Sequence, residues 1–175
     1  MAHTKNKVDW CLKKAQEELK QGKVHRGLVI IHPDIEEARK HINKAKRNLD
    51  AIEAFAKIGY SDWSMSAVFY CIYHCFLAIA SKFGYESRNQ ECTIVLIKSL
   101  KEDNKIKLDD QFINALETTN EAGRHETTII EKREFYTYGT TTAVQKTELQ
   151  ESIRLCKDCL DQTREIIFGV KNENK

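Results

Sequence analysis

SDWSMSAVFYCIYHCFLAIASKFGYESRNQECTIVLIKSL, Ser61 to Leu100, is the stretch on which the fold turns. From Trp63 to Phe83 it is apolar nearly all round, and in a soluble domain such a helix is one that other helices surround. Gly84 can supply the left-handed residue that stops it. His74 sits about halfway along, among Tyr70, Cys71, Tyr73 and Cys75. An imidazole in that setting is either a core group satisfied by a hydroxyl or carbonyl, or half of a site. Tyr70 and His74 are four residues apart and share a helix face, so both can project toward one partner helix or a dimer seam.

Upstream, Ile42, Ala45, Leu49, Ile52 and Ala56 keep helical spacing as far as Gly59-Tyr60, and Ser61-Asp62 are expected to cap the next helix. Pro33-Asp34 followed by Glu36 and Glu37 makes a helix start, since proline suits a first turn and carboxylates favour its positive end. Val24 to His32 reads as a connector with a β-prone run at Leu28 to Ile31, preceded by a short amphipathic helix from Val8 to Gln21. Downstream, Arg88 to Leu100 reads as a fourth helix, KEDNKIKLDD as a loop, and Asp110 to about Thr119 as a helix, with a break at Gly123. Helix is expected again from Arg124-His125 to Tyr138, then a loop at Gly139 and its threonines. Leu149, Ile153, Cys156, Leu160, Thr163 and Ile167 mark the last helix.

One proline, seven glycines and 31% charged residues in 175 suit an all-α protein. The expected architecture is an up-and-down antiparallel helical bundle of four to six helices. It forms one domain over residues 1–175, with 1–32 as an N-terminal helix and connector extension. Residues 1–47 hold 12 Lys/Arg against 6 Asp/Glu, which reads first as a solvated basic face and second as a phosphate-facing one. No secretion signal or membrane span is read from the sequence, because Met65 to Ala80 is only sixteen residues long. The six cysteines are accordingly expected to stay reduced in a cytoplasmic protein.

Several chemistries are absent. There is no glycine-rich phosphate loop, no GxSxG elbow and no HExxH. Cys156-x-x-Cys159 falls on an apolar stripe without a second ligand pair at suitable spacing, so it reads as packing; no metal and no cofactor are expected. What remains is Arg133-Glu134-Phe135-Tyr136-Thr137-Tyr138, where a guanidinium can grip a phosphate and phenols can stack on a base. The plainer reading is an arginine solvated or paired with a carboxylate such as Glu131.

Three segments together resemble the HEPN domains, small helical proteins of prokaryotes often encoded beside minimal nucleotidyltransferases. They are KAKRNLDAIEAFAKIG (Lys44 to Gly59), AVFYCIYHCFLAIASKFGYESRNQ (Ala67 to Gln90) and REFYTYG (Arg133 to Gly139). The resemblance implies a helical homodimer with a composite cleft, whose active members are metal-independent ribonucleases of toxin–antitoxin and defence systems. Their motif is an arginine followed four to six residues later by histidine. Arginine stabilises charge on the phosphate and histidine moves protons while the RNA 2′-hydroxyl attacks. Here Tyr138 stands where histidine is expected, and a phenol is a poor base at neutral pH.

On this resemblance the catalytic candidates are Arg133, Tyr138 and His74, the last as a substitute imidazole if the fold brings it beside Arg133. The RNA- or nucleotide-binding candidates are Arg133, Tyr136, Tyr70 and Arg88. The implied partners are a second copy of the chain, RNA and a minimal nucleotidyltransferase antitoxin, for which Tyr136 and Tyr138 are candidate acceptors of a modification. The alternative is a non-catalytic dimerisation or nucleotide-binding module.

Overall fold

The computed structural model describes residues 2–117 and 128–169. The order is α1 (Ala2–Lys20), β1 (Leu28–Ile30), α2 (Ile35–Lys57), α3 (Ser61–Lys82), β2 (Tyr85–Ser87), α4 (Gln90–Glu102), α5 (Asp110–Ala115), α6 (Ile129–Tyr138) and α7 (Lys146–Phe168). The protein is all-α, with seven helices among the described residues, of which α1 lies outside the helical bundle.

α3 is the central helix and packs against α2, α4, α6 and α7. It is long and apolar enough to cross a membrane, yet 78% of its apolar window is buried inside the protein, as a bundle's axis requires. Contacts set the directions of its neighbours. Ser64 Oγ donates to Ile52 O and His74 meets His41, so α2 runs antiparallel to α3. Arg133 lies over Phe69 and Thr137 meets Ser66, so α6 does too. Cys156 Sγ donates to Val68 O and Lys82 Nζ donates to the carbonyls of Ile166 and Ile167, so α7 runs parallel to α3. The directions of α2, α3, α6 and α7 therefore alternate, up and down.

Four free cysteines meet in this core, all fully buried. Cys71 neighbours Cys156 and Cys75, and Cys75 neighbours Cys159, while the Cys156 thiol donates to Val68 O. These contacts push the Cys71 thiol far above its ordinary range. Among the described residues, no group of three or more His, Cys, Asp or Glu is disposed to hold a metal ion.

The structure corrects the expectation of six reduced thiols, since Cys11 and Cys92 form a disulfide across a separation of 81 residues. It joins α1 to α4, and it removes the reduced-thiol basis of the cytoplasmic expectation for these two residues. The bond belongs to an arm outside the bundle proper, in which α1 rests on α4 and β1 pairs antiparallel with β2, Leu28 opposite Ser87 and Ile30 opposite Tyr85. The strand at Tyr85–Ser87 was not expected. Gly27 is required where the arm closes, because a Cβ there would collide with the Cys11 carbonyl.

Smaller differences have local causes. α1 begins at Ala2, well before Val8, and α4 continues two residues past Leu100. Pro33 lies before the N-cap of α2, which is Asp34, whose side chain accepts from Glu37 N. Ser61 and Asp62 do not cap α3; they are its first residues, Tyr60 is the N-cap, and Ser61 Oγ instead accepts from Val144 N at 2.9 Å. The helix expected from Arg124-His125 is described from Ile129, after a Thr128–Glu131 capping box. The expected break at Gly123 and the end of the fifth helix near Thr119 lie outside the described residues.

Candidate functional site

α6 carries the arginine–tyrosine segment and lies antiparallel to the first half of α3. The Arg133 guanidinium sits 4.2 Å from the centroid of the Phe69 ring, a cation–π contact with a buried face. Its one ion pair among the described residues is a long one, 3.7 Å to Glu134 Oε1. Most of its donors are therefore left for an incoming anion.

Around it the aromatic side chains divide into buried and exposed. Phe69 stacks on Tyr73 at 5.7 Å and meets Tyr70 edge-on at 5.1 Å. Tyr73 is held by Thr93, whose Oγ1 lies 3.3 Å from its hydroxyl, and burial raises its pKa. Tyr70, Phe135 and Tyr138 stand largely in solvent, Tyr138 at 84% exposure. Tyr70 shares the Phe69 ring with Arg133, while Phe135 and Tyr138 project from other sides of α6; a guanidinium with exposed rings on the same helix pair can hold phosphate and stack bases.

Tyr136, one turn from Arg133, is engaged by α7. Its hydroxyl donates to Glu148 Oε2 at 3.1 Å, and Glu148 Oε1 pairs with Lys132 Nζ at 3.0 Å, so one carboxylate ties α6 to α7. Burial and this carboxylate raise the phenol's pKa. Tyr136 is thus a structural link in the free protein, with only part of its surface available to a ligand.

His74 and Arg133 do not touch within one chain; Phe69 and Tyr73 lie between them. The partner of His74 is instead His41 of α2, at 3.0 Å between the two Nδ1 atoms. One ring donates and the other accepts, so at least the accepting imidazole is neutral. Burial first, then His41 and Lys44, lower the His74 pKa to about 4; burial likewise lowers that of His41. His74 at neutral pH is therefore an unprotonated but weak base.

Arg88 does not join the group. It lies beyond the far end of α3, ~20 Å of helix from Phe69, where Nε bonds Glu86 Oε1 at 2.7 Å beside His25. Sequence reasoning missed Phe69 as the seat of Arg133, and His41. The spacing of His41, four residues after Glu37, gave a helix face, but its contact with His74 depends on the register of α2 against α3.

The family model for the HEPN domain matches residues 38–172. The chain belongs to the HEPN family. The match begins after the arm, so the disulfide-linked α1 and the first strand are additions to the HEPN bundle. Membership gives the chain the general character of an RNA-binding, nuclease-like module. No curated protein matches this HEPN chain.

Proposed function

We propose that this HEPN protein is a toxin-like component that binds RNA through Arg133, Tyr70, Tyr138 and the exposed part of Tyr136, at a cleft completed by a second copy. The observation that carries the reading is the Arg133 guanidinium, seated on Phe69 with one distant carboxylate partner, with the half-exposed Tyr70 ring edge-on to the same Phe69. A phosphate there would gain charge-assisted hydrogen bonds, and the rings supply sequence-tolerant stacking. The same exposed rings suit a two-fold contact, and a minimal nucleotidyltransferase is the antitoxin partner that family resemblance suggests.

Binding is favoured over fast cleavage because no imidazole of this chain touches Arg133 among the described residues. Rapid turnover would need His74 or Tyr138 to act as base, the first weak by burial and the second a phenol. The test is labelled tRNA and mRNA incubated with purified protein in chelator, wild type beside Arg133→Ala, with binding and cleavage both scored. Binding lost in the variant supports the reading, and cleavage lost with it extends the role to catalysis. Equal behaviour of the two proteins favours the non-catalytic interaction module.

A further inference from the structure

The α3/α6 seam runs on past Arg133 into a hollow. Where α3 begins and α6 ends, Asp62, Trp63, Thr137, Gly139, Thr140 and Thr142 are among the residues lining a cavity of about 140 Å³. That is room for a single nucleobase and not for a whole nucleotide. Two hydrogen bonds hold its outer wall against α3: Val144 N donates to Ser61 Oγ at 2.9 Å, and the hydroxyls of Thr137 and Ser66 lie 3.4 Å apart.

The lining is suited to a base. The Trp63 ring is 56% exposed although it forms one side of the cavity, so a π-face is open to stacking. The Asp62 carboxylate has no ion pair or side-chain hydrogen bond among the described residues, so both of its oxygens are free to accept. The threonine hydroxyls can each donate or accept. Thr137 is one turn beyond Arg133 on α6, ~6 Å of helix rise, comparable to the reach from a phosphate to its own base.

We propose that this hollow takes one unpaired base of the RNA whose phosphate lies on Arg133, and that guanine is the base it favours. This deepens the RNA-binding reading and rests on it. Selectivity follows from hydrogen-bond polarity. A carboxylate accepts two hydrogen bonds in parallel, and guanine alone presents two adjacent donors, its ring N–H and exocyclic amine, on its pairing edge. Adenine and cytosine set an acceptor beside their amine, and uracil flanks its N–H with two carbonyls, so each turns a lone pair toward Asp62. Unstacked bases read on this edge while stacked on an aromatic ring are the usual mode of single-stranded RNA recognition.

In a Trp10→Phe background Trp63 is the sole tryptophan, and its fluorescence reports the cavity directly. GMP, AMP, CMP and UMP are titrated first, then UUGUU against UUUUU, with RNA binding followed in parallel by anisotropy. The expected result is saturable quenching with a preference of about tenfold for GMP and UUGUU. Asp62→Asn should abolish that preference by weakening UUGUU binding and not UUUUU binding, which can only gain from loss of the anion, and Trp63→Leu should weaken UUGUU binding. Quenching equal for all four nucleotides overturns the guanine assignment. No quenching, with Arg133-dependent RNA binding intact, overturns the cavity's role and leaves the RNA reading standing. Absence of RNA binding sinks the RNA reading, while the mononucleotide titration still decides whether the cavity holds a base.

Discussion

Reducing the Cys11–Cys92 bond isolates what the N-terminal arm contributes, because the other four cysteines are free and a reductant acts on one bond only. The bond closes a loop of 81 residues, and for that length the chain-entropy relation gives ~4.5 kcal/mol of stabilisation through the unfolded state. With a urea dependence of ~2 kcal/mol per molar for a chain of this size, the unfolding midpoint should fall by ~2 M on adding dithiothreitol. Circular dichroism reports the whole bundle and, in a Trp63→Phe background, Trp10 fluorescence reports the arm, so coincident transitions test two-state behaviour. A Cys11→Ser/Cys92→Ser double variant should match the reduced wild type and ignore reductant. A midpoint moving by less than ~0.5 M would refute the reasoning, showing that the loop is not covalently closed in the folded protein or that the unfolded chain is already compact.

Three further outcomes follow from particular residues. His74 titrates at about 4 in the folded protein against 6.5 for a free imidazole, so the unfolded chain takes up the proton first and stability falls as pH drops from about 6.5 to about 4. Half burial and solvent screening reduce the full shift to ~1–2 kcal/mol, and His74→Gln should flatten that part of a melting-temperature profile; an unchanged slope would assign it to other groups. Gly84→Ala should cost ~1–3 kcal/mol by chemical denaturation, since Gly84 has φ +79° and a Cβ there would stand 2.8 Å from Ile31 O. Gly22→Ala, at φ +69° with open space around it, should cost clearly less, and parity between the two would contradict the role given to the Ile31 contact. The buried thiols of Cys71, Cys75, Cys156 and Cys159 should resist Ellman's reagent in the native protein and react in denaturant; rapid native reaction would mean that the core opens there.

The bundle was legible because its signals are local. The all-round apolarity of Trp63 to Phe83 announces a surrounded helix, Gly84 stops it, and the spacing from Leu149 to Ile167 marks a buried stripe. The arm was only half legible. Leu28 to Ile31 reads as extended, but Tyr85–Ser87 is a strand solely because β1 lies beside it, and three residues carry no alternation long enough to detect. Cysteine spacing does not specify pairing, and Cys11 with Cys92 is a tertiary fact. At the site, Arg133, Tyr70 and Tyr138 could be picked out by type and order. The Phe69 seat, the diversion of Tyr136 to Glu148 and the pairing of His74 with His41 depend on helix register, which residue type alone does not fix.

The arm also sets an order of events during synthesis. α1 leaves the ribosome well before α4, yet the surface it docks on includes α4, and its cysteine's partner is residue 92. α2 and α3, neighbours in sequence joined by a three-residue turn, can pair long before that partner is translated. α1 is therefore made before α2 and α3 but settles after them, and until then Val8, Cys11 and Ala15 travel uncovered. A nascent chain paused before α4 would carry α1 exposed and sticky, making translation speed between residues 20 and 92 a determinant of soluble yield.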